Sequence, residues 1–206
     1  MKIITISREF GSGGRELGKR LAELLGYDYY DREIISMVAE KSGLDADYVE
    51  NTLNNPGWKN QVMTLRGTLG LTSYAQSAQV NLLLQEKKVM EEIAAMGRDC
   101  VIVGRNADII LQEYQPFCIF VCAKMPDKVK RCMERAAVGE NLTEKELVRK
   151  MKQIDKVRMQ TRELMSGLTW GQRDAYDLTI NTSGWEIKEL VPAVADFAQS
   201  WFGRKR

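Results

Sequence analysis

The chain has no histidine among its 206 residues. That absence excludes the Ser-His-Asp and Cys-His arrangements of nucleophilic catalysis, and it disfavours a zinc site, for which histidine is a common ligand. Carboxylates, arginine, lysine and backbone dipoles remain available for chemistry. Phosphoryl transfer needs little else, because it depends mainly on positioning a charged reactant and stabilising its charge.

Cysteine is also scarce, with four copies and no C-x-x-C pair. Three of the four lie in or next to apolar stretches, where a free cysteine behaves as a small buried hydrophobe. We therefore expect reduced, structural thiols. They are Cys100, Cys118, Cys122 and Cys132.

The chain lacks both a strong excess of one charge and a long apolar run. Its 30 basic residues nearly balance 28 acidic ones, for a formal net charge of +2. That balance gives no general attraction to nucleic acid or to a membrane surface. The longest apolar runs, such as Cys118–Cys122, are far shorter than a membrane-spanning helix. We expect a soluble cytoplasmic protein that binds neither nucleic acid nor membranes, as a monomer or a homodimer.

A glycine cluster follows a short apolar strand near the start of the chain. The strand predicted over Ile3–Ser7 leads into Gly11-Ser12-Gly13-Gly14, and leucines at helical spacing predict a helix over Arg15–Leu25. Glycines permit positive φ and close backbone approach, so successive N–H groups can surround an anion at the helix start. The cluster predicts a phosphate-binding loop that includes Arg8 and residues 11–16. The alternative is a glycine-rich turn that serves packing alone.

The loop departs from the phosphate-binding pattern G-x-x-x-x-G-K-[ST], which supplies a lysine and a Mg²⁺-binding hydroxyl. Gly14 takes the lysine position if the strand is aligned without a gap, and Arg15 takes it if the last glycine is matched. The dinucleotide pattern G-x-G-x-x-G fails because Glu16 stands at its last glycine. Arg15 or Arg8 can supply the missing cation, although arginine is no neutral replacement for lysine. The alternative for Arg15 is a surface ion pair with Glu16 or Glu9.

Strand-like and helix-like patterns alternate along the chain, which predicts an α/β fold with a parallel sheet. Residues 44–72 are rich in Asn, Gly and Thr, with a turn signal at Asn54-Asn55-Pro56-Gly57, and are predicted as an inserted or mobile segment. The remaining predicted strands are Tyr27–Tyr30, Cys100–Val103, Phe117–Cys122 and Leu178–Ile180. The remaining predicted helices are Arg32–Lys41, Ser73–Met96 (apolar face Val80, Leu83, Leu84, Val89, Ile93 and Met96), Pro126–Ala137, Thr143–Met165 and Glu186–Trp201.

Polar residues follow the predicted strands at their carboxyl ends. Arg8 follows the first strand, Asp31-Arg32 the second, Gly104-Arg105 the third and Lys124 the fourth. In a parallel sheet these ends meet at one edge, where ligands bind. Asp31 has two interpretations, a functional carboxylate at that edge or the N-cap of the following helix.

These residues also resemble a known family. Ile4-Thr5-Ile6, the Gly11–Gly14 cluster, Leu21–Leu24 and Tyr30-Asp31 have the spacing of the first β-loop-α-β unit of bacterial cytidylate kinases. The loop is similar to that of the divergent cytidylate kinase-like group, which reads Ser-Arg-x-x-Gly-Ser-Gly-Gly-Arg-Glu.

The resemblance extends over nearly the whole chain. Val101–Ala107 resembles the family's Asp-Gly-Arg-Asp segment, whose arginine contacts the acceptor phosphate, with Asn106 in place of the second Asp. Phe120–Ala123 resembles the strand that leads to the lid. Arg158 and Arg162 resemble the lid arginines, and Tyr176–Ser183 resembles the terminal Asp-x-x-x-x-Asp-Thr-Ser segment.

The resemblance implies a three-layer P-loop NTPase core with a helical monophosphate-binding insertion and a helical lid. The core would comprise residues 1–43, 73–135 and 176–206, the insertion about 44–72 and the lid about 136–175. It implies an ATP-dependent enzyme that uses Mg²⁺ to phosphorylate a nucleoside monophosphate, CMP or dCMP, with no metal-ligating residue assigned. The implied catalytic residues are Arg15, Asp31, Arg158 and Arg162; the implied ATP-binding residues are Arg8, Gly11, Ser12, Gly13, Gly14, Arg15 and Glu16; the implied acceptor-binding residues are Asp31, Arg32, Gly104 and Arg105.

Several alternatives stay open at this point. The missing lysine and hydroxyl also suit a nucleotide-binding regulator with weak or no kinase activity, and the unmatched segment 44–72 leaves room for a kinase of another small acceptor. Arg158 and Arg162 lie four apart and share a helix face, but such a basic run is commonly a solvated surface. Trp170 either stacks on a base or packs on a neighbouring element.

Overall fold

The computed structural model of the protein describes residues 1–54, 69–135 and 142–204. They form two compact units, one comprising residues 1–31 and 97–206, and the other residues 32–96. Among the described residues, no helix is long and apolar enough to cross a membrane.

The first unit is built on a five-stranded sheet with the order β2-β3-β1-β4-β5. All strand pairs are parallel. The central strands carry apolar residues on both faces, as expected of a parallel sheet covered by helices. The predicted α/β fold is therefore confirmed. The strands are β1 (Ile3–Arg8), β2 (Asp28–Tyr30), β3 (Cys100–Val103), β4 (Phe117–Cys122) and β5 (Leu178–Asn181).

Helices α1 (Gly14–Leu25) and α8 (Ile187–Gly203) pack against each other and cover one face of the sheet. Their leucines, valines and alanines form one core with β1, β3 and β4, including Leu17, Leu21 and Val191. The fit is close, because a Cβ on Gly18 would lie 2.7 Å from Val103 Cγ2. This core fixes β1 and α1, and therefore the loop between them. The unit also contains α5 (Ala107–Ile110), α6 (Met125–Glu134), α7 (Glu144–Ser166) and the 3₁₀ turns Gln112–Tyr114 and Arg173–Ala175.

Helix α7 lies within the predicted lid, and its start is specified locally. Thr143 is the N-cap, and its side chain accepts a hydrogen bond from the backbone N–H of Glu146. The Glu146 carboxylate in turn accepts from the backbone N–H of Thr143 at 2.9 Å. This reciprocal capping box satisfies two N–H groups that the helix itself leaves unpaired.

The division of the chain into core, insertion and lid stays a prediction.

The second unit contains α2 (Glu33–Ser42), α3 (Ala46–Asn54) and α4 (Leu69–Ala95). Helix α3 lies within the segment predicted as an insertion, and the loop-like composition there did not indicate it. Most of the predicted turn, in residues 55–68, lies outside the described residues. In α4 the predicted apolar face is partly wrong, because Val80, Leu84 and Met96 are exposed while Leu82 and Met90 are buried. Apolar residues surround this helix, so their spacing alone does not identify the buried side.

Candidate anion-binding site at the carboxyl edge of the sheet

The loop between β1 and α1 has the backbone that its glycines predict. Gly11 has φ 77°, and Gly13, the N-cap of α1, has φ 85° and ψ 1°. Both angles favour glycine because a Cβ would be strained there. No side chain caps α1, so the first N–H groups of the helix have neither an intrahelical partner nor a capping side chain. Such a helix start attracts an anion.

Packing around the loop also requires glycine. A Cβ at Gly13 would lie 2.3 Å from Ile187 Cδ1, and one at Gly14 would lie 2.6 Å from the Cβ of Arg8. A Cβ at Gly11 would lie 3.0 Å from Cys132 Sγ. The packing alternative therefore contributes to the choice of glycine, but it does not account for the uncapped helix start.

Side chains hold the loop through its carbonyl groups. Thr182 Oγ1 donates to the carbonyl of Ser12 at 2.6 Å, and Arg131 Nη1 donates to that of Gly11 at 2.8 Å. The hydroxyl of Ser12 donates to the carbonyl of Glu9 at 2.8 Å, and Ser12 is fully buried. Ser12 therefore helps to shape the loop. These contacts fix the loop through its carbonyl groups, whereas the N–H of Ser12 donates back to the carbonyl of Glu9 at 3.3 Å.

A buried lysine that sequence reasoning missed also supports the loop. Lys128, on α6, donates to Glu9 Oε2 at 3.0 Å, and the N–H of Ala123 donates to the same oxygen at 3.2 Å. Lys128 is 5% exposed. In the sequence, Lys128 looks like an ordinary charged residue on the polar side of an amphipathic helix. The sequence therefore did not indicate that it is buried and supports the loop.

Three predicted site residues meet beside the loop. The guanidinium of Arg15 contacts Asp31 with a distance of 2.5 Å from Nε to Oδ2, and Arg8 Nη2 lies 3.5 Å from Asp31 Oδ1. The Arg8 guanidinium also lies against the backbone of Gly104, because a Cβ there would be 1.4 Å from Arg8 Nη1. Arg158 of α7 joins them by donating from Nη1 to the carbonyl of Arg8 at 3.0 Å.

The electrostatics of this cluster favour an anion. The pKa of Arg8 is lowered to about 9, mainly by burial. The nearby charges of Arg158, Arg105 and Arg15 contribute to the lowering, and Asp31 opposes it. Burial likewise lowers the pKa of Arg158. The nearby charges of Arg105 and Arg15 add to that lowering, and Asp155 opposes it. The charged forms of Arg8 and Arg158 are thus disfavoured by neighbouring guanidinium groups, an effect that a bound polyanion would relieve.

Arg158 and Arg162 have different surroundings, although they share a face of α7. Arg162 is 1% exposed, with its Nη1 2.5 Å from Asp108 Oδ2 and its guanidinium 4.9 Å from the centre of the Tyr176 ring. Arg158 has a different carboxylate partner, since its Nη1 lies 3.0 Å from Asp155 Oδ1. A shared role of the two arginines at the transferred phosphoryl group stays a prediction. Trp170 packs edge-to-face on Phe120 at 5.3 Å, in accord with the packing alternative.

The contacts bear on the alternatives for Asp31 and Arg15. Helix α2 begins at Glu33, and the residue before it, Arg32, has helical φ and ψ of −74° and −24°. Both interpretations of Asp31, a functional carboxylate and the helix N-cap, stay predictions. Arg15 pairs with Asp31, so the partners that the alternative named for it, Glu16 and Glu9, are wrong. Arg32 is exposed at the start of the second unit.

Glu16, at the position of the Mg²⁺-binding hydroxyl, is engaged elsewhere. Arg20 contacts it at 2.8 Å, and Arg135 forms a second ion pair. Partial burial raises the pKa of Glu16, but hydrogen bonds from both arginines outweigh burial and hold the pKa below its usual value. No group of three or more carboxylate or cysteine side chains among the described residues is arranged to hold a metal ion.

The cysteines are free in the structure, as predicted. Burial raises the pKa of the Cys100 and Cys118 thiols to about 12, with nearby carboxylates adding to the effect. A thiol with so high a pKa is a poor nucleophile at neutral pH. Cys100 and Cys118 therefore do not take part in the chemistry of this site.

Gly104→Ala should displace Arg8 from the cluster, because the new methyl group would occupy the position of Nη1. We expect the affinity for inorganic tripolyphosphate, measured by calorimetry, to fall by about tenfold or more, the effect of losing one charge-assisted contact. Gly26→Ala is the matched control, since Gly26 also has positive φ but no heavy atom within 4 Å of the added Cβ. Equal affinity in both variants would show that Arg8 does not contact the anion.

Comparisons with known proteins agree with this fold and loop. Residues 3–184 match the cytidylate kinase-like family. A crystal structure of an uncharacterized protein from Eubacterium ventriosum is 24% identical, with a TM-score of 0.71, and the match covers 97% of this chain and 99% of that one. The shikimate kinase from Acinetobacter baumannii in complex with shikimate is 12% identical, with a TM-score of 0.56 and coverage of 99% and 96%.

The shikimate kinase from Bacteroides thetaiotaomicron is 16% identical, with a TM-score of 0.53, covering 96% of this chain and 98% of that one. No curated protein matches the chain. At these identities the likeness shows a shared fold. The family match spans both the glycine loop and the arginines around it, and the chain belongs to the cytidylate kinase-like family.

Proposed function

We propose that this protein is a phosphotransferase that moves the γ-phosphoryl group of ATP to a nucleoside monophosphate, with CMP or dCMP as the acceptor. The observation that supports it best is the convergence of Arg8, Arg15 and Arg158 beside an uncapped, glycine-lined helix start. Family membership supports the reaction class. The acceptor rests on the resemblance to cytidylate kinases.

The donor phosphates are assigned to the β1–α1 loop. The uncapped N–H groups at the start of α1 suit the β- and γ-phosphates of ATP, as at other helix N-termini. Arg15, in the first turn, takes the place of the absent lysine. Asp31 orients Arg15 through the 2.5 Å contact to Nε, and this leaves other guanidinium N–H groups for phosphate oxygens. Mg²⁺ would arrive with the nucleotide and is not assigned a protein ligand.

The acceptor phosphate is assigned to Arg105, which follows β3 and matches the family arginine. Gly104 and Arg8 lie at the same strand end, and Arg158 reaches this edge from α7. An oxygen of the acceptor phosphate attacks the γ-phosphorus, the bond to the β–γ bridging oxygen breaks, and ADP leaves. Charge on the transferred group would be stabilised by the surrounding guanidinium groups, so catalysis is mainly positioning and electrostatic stabilisation.

One observation favours a second function. The loop has no lysine, and Glu16, which stands at the hydroxyl position, is paired with Arg20 and Arg135. A protein with this loop can bind nucleotide without efficient transfer, as a nucleotide-dependent regulator would. Both functions require the protein to bind nucleotide, but only the kinase would transfer the phosphoryl group at a measurable rate.

The acceptor is tested by following ADP release from ATP with each nucleoside monophosphate, each deoxynucleoside monophosphate and shikimate. We expect turnover with CMP or dCMP, and we expect Arg105→Ala to lower kcat/KM for the acceptor by about 30- to 150-fold, the loss of a bidentate charged contact. Arg98→Ala is the control, because Arg98 is an exposed arginine in the same unit that pairs with Asp28.

Transfer to none of the nucleotides would contradict the kinase proposal, and it would favour the regulator if ATP still binds. Turnover with shikimate alone would assign a different acceptor. Unchanged acceptor dependence in Arg105→Ala would remove Arg105 from the site.

The role of Arg15 is tested by comparing ATP with AMP, which lacks β- and γ-phosphates. Arg15→Ala should weaken ATP binding by about tenfold or more and AMP binding much less, and Arg15→Lys should restore part of the loss. Arg20→Ala, a change on the same helix, is the control, since Arg20 pairs with Glu16 instead. Equal weakening of ATP and AMP would contradict the assignment.

Anion binding should depend on pH through Arg8. Its pKa in the free protein is about 9, and a bound anion would raise it, so binding takes up a proton above that pH. The affinity for sulfate, whose own charge stays constant, should be level at neutral pH and fall as pH rises through about 9. In Arg8→Gln this break should disappear. A wild-type affinity that is level across this range would contradict the involvement of Arg8.

A further inference from the structure

The Arg162–Asp108 ion pair is a deeply buried charged contact among the described residues of the first unit, and the proposed reaction does not use it. The two side chains are 1% and 5% exposed, and Nη1 of Arg162 lies 2.5 Å from Oδ2 of Asp108. Each residue carries a further buried polar atom without a hydrogen-bond partner, Nε of Arg162 and Oδ1 of Asp108. A buried pair of this kind is weak as a source of stability, so its position needs another explanation.

The pair joins the two segments that carry the proposed phosphate-binding arginines. Arg162 lies four residues after Arg158 on α7, about 6 Å along the helix axis. Asp108 lies three residues after Arg105, on α5. A second contact joins the same segments, in which Asn106 Nδ2 lies 3.3 Å from the sulfur of Met165.

The turn that presents Arg105 has a backbone that needs such support. Gly104, Arg105 and Asn106 have φ values of 80°, 59° and 51°, so three successive residues are left-handed. For Arg105 and Asn106, which carry a Cβ, this conformation costs free energy and persists only where surrounding contacts enforce it. Asn106 and Asp108 both take part in the contacts with α7, which therefore hold the end of this turn.

Like charges at the site create a second need for support. Arg105 and Arg158 lower the pKa of Arg8 together, and Arg105 lowers that of Arg158. In the absence of an anion these like charges disfavour the close approach of α7 and the β3–α5 turn. The opposite charges of Arg162 and Asp108, one helical turn further along, attract the same two segments and oppose that repulsion.

We infer that Arg162 and Asp108 are positioning residues that hold Arg158 and Arg105 at the separation needed to bind one phosphate group between them. The inference rests on the proposed function only through the assignment of Arg105 and Arg158 to phosphate. On this inference, the ion pair couples the position of α7 to that of the β3–α5 turn, which carries Arg105.

The test is a double-mutant cycle with inorganic phosphate as the probe, measured by calorimetry. Asp108→Leu with Arg162→Met removes both buried charges together, because removing one alone would leave the other unpaired. Arg105→Ala is then made in the wild-type and in this background. We expect Arg105→Ala to weaken phosphate binding by about tenfold in the wild type and by less than about twofold without the ion pair.

The matched control removes the exposed Lys130–Glu134 pair of α6 by Lys130→Met with Glu134→Leu; there Arg105→Ala should keep its full effect. If the apolar double variant does not fold, Arg162→Lys and Asp108→Glu keep both charges while altering the geometry, and each should reduce the effect of Arg105→Ala. An equal effect of Arg105→Ala with and without the pair, in folded protein, overturns the inference.

The outcomes separate this inference from the proposed function. Wild-type protein that shows the coupling in phosphate binding but transfers phosphate to no acceptor overturns the kinase proposal and supports the positioning role. Wild-type protein whose phosphate affinity does not depend on Arg105 overturns the positioning role, whatever its turnover.

Discussion

The burial of the Arg8 guanidinium at the carboxyl edge of the sheet is the constraint on which the rest of the site depends. Placing a cation there is costly, because burial disfavours its charge, and the low pKa of Arg8 reflects this cost. The surroundings accommodate it in three ways: Asp31 supplies opposite charge, and Gly14 and Gly104 leave the space that its stem and guanidinium occupy. A bound anion would supply the remaining compensation.

This constraint gives the glycines two kinds of role. Gly11 and Gly13 provide the positive φ of the turn, whereas Gly14 and Gly104 accommodate the Arg8 side chain. A loop that binds phosphate with arginine instead of lysine must make room for a larger, planar cation and must hold it in orientation. Asp31, which contacts Arg8 and Arg15, provides that orientation from the end of β2.

The charged residues divide into those that shape the site and those that face the ligand. Arg131 and Lys128 support the loop, through the Gly11 carbonyl and through Glu9, and Arg162 joins α7 to α5. Arg8, Arg15 and Arg158 surround the loop edge. A chain with a net charge of only +2 thereby concentrates positive charge at one place. Lys128 and Arg162 each pair with a carboxylate of their own. Arg8 and Arg15 share the single carboxylate of Asp31.

The sequence alone determined the α/β fold, the five parallel strands, the loop at the end of β1 and the family. Apolar runs and glycines are local signals, and strand order then brings Arg8, Asp31 and Gly104 to one edge. Tertiary structure alone decided the partners of the charges. Arg158 and Arg162 look alike in the sequence, yet Arg162 pairs with Asp108. Arg158 instead pairs with Asp155 and donates to the Arg8 carbonyl. Asp31 pairs with Arg15, a partner that the sequence did not indicate. Ion pairing and burial depend on residues distant in the chain, so periodicity and spacing carry no record of them.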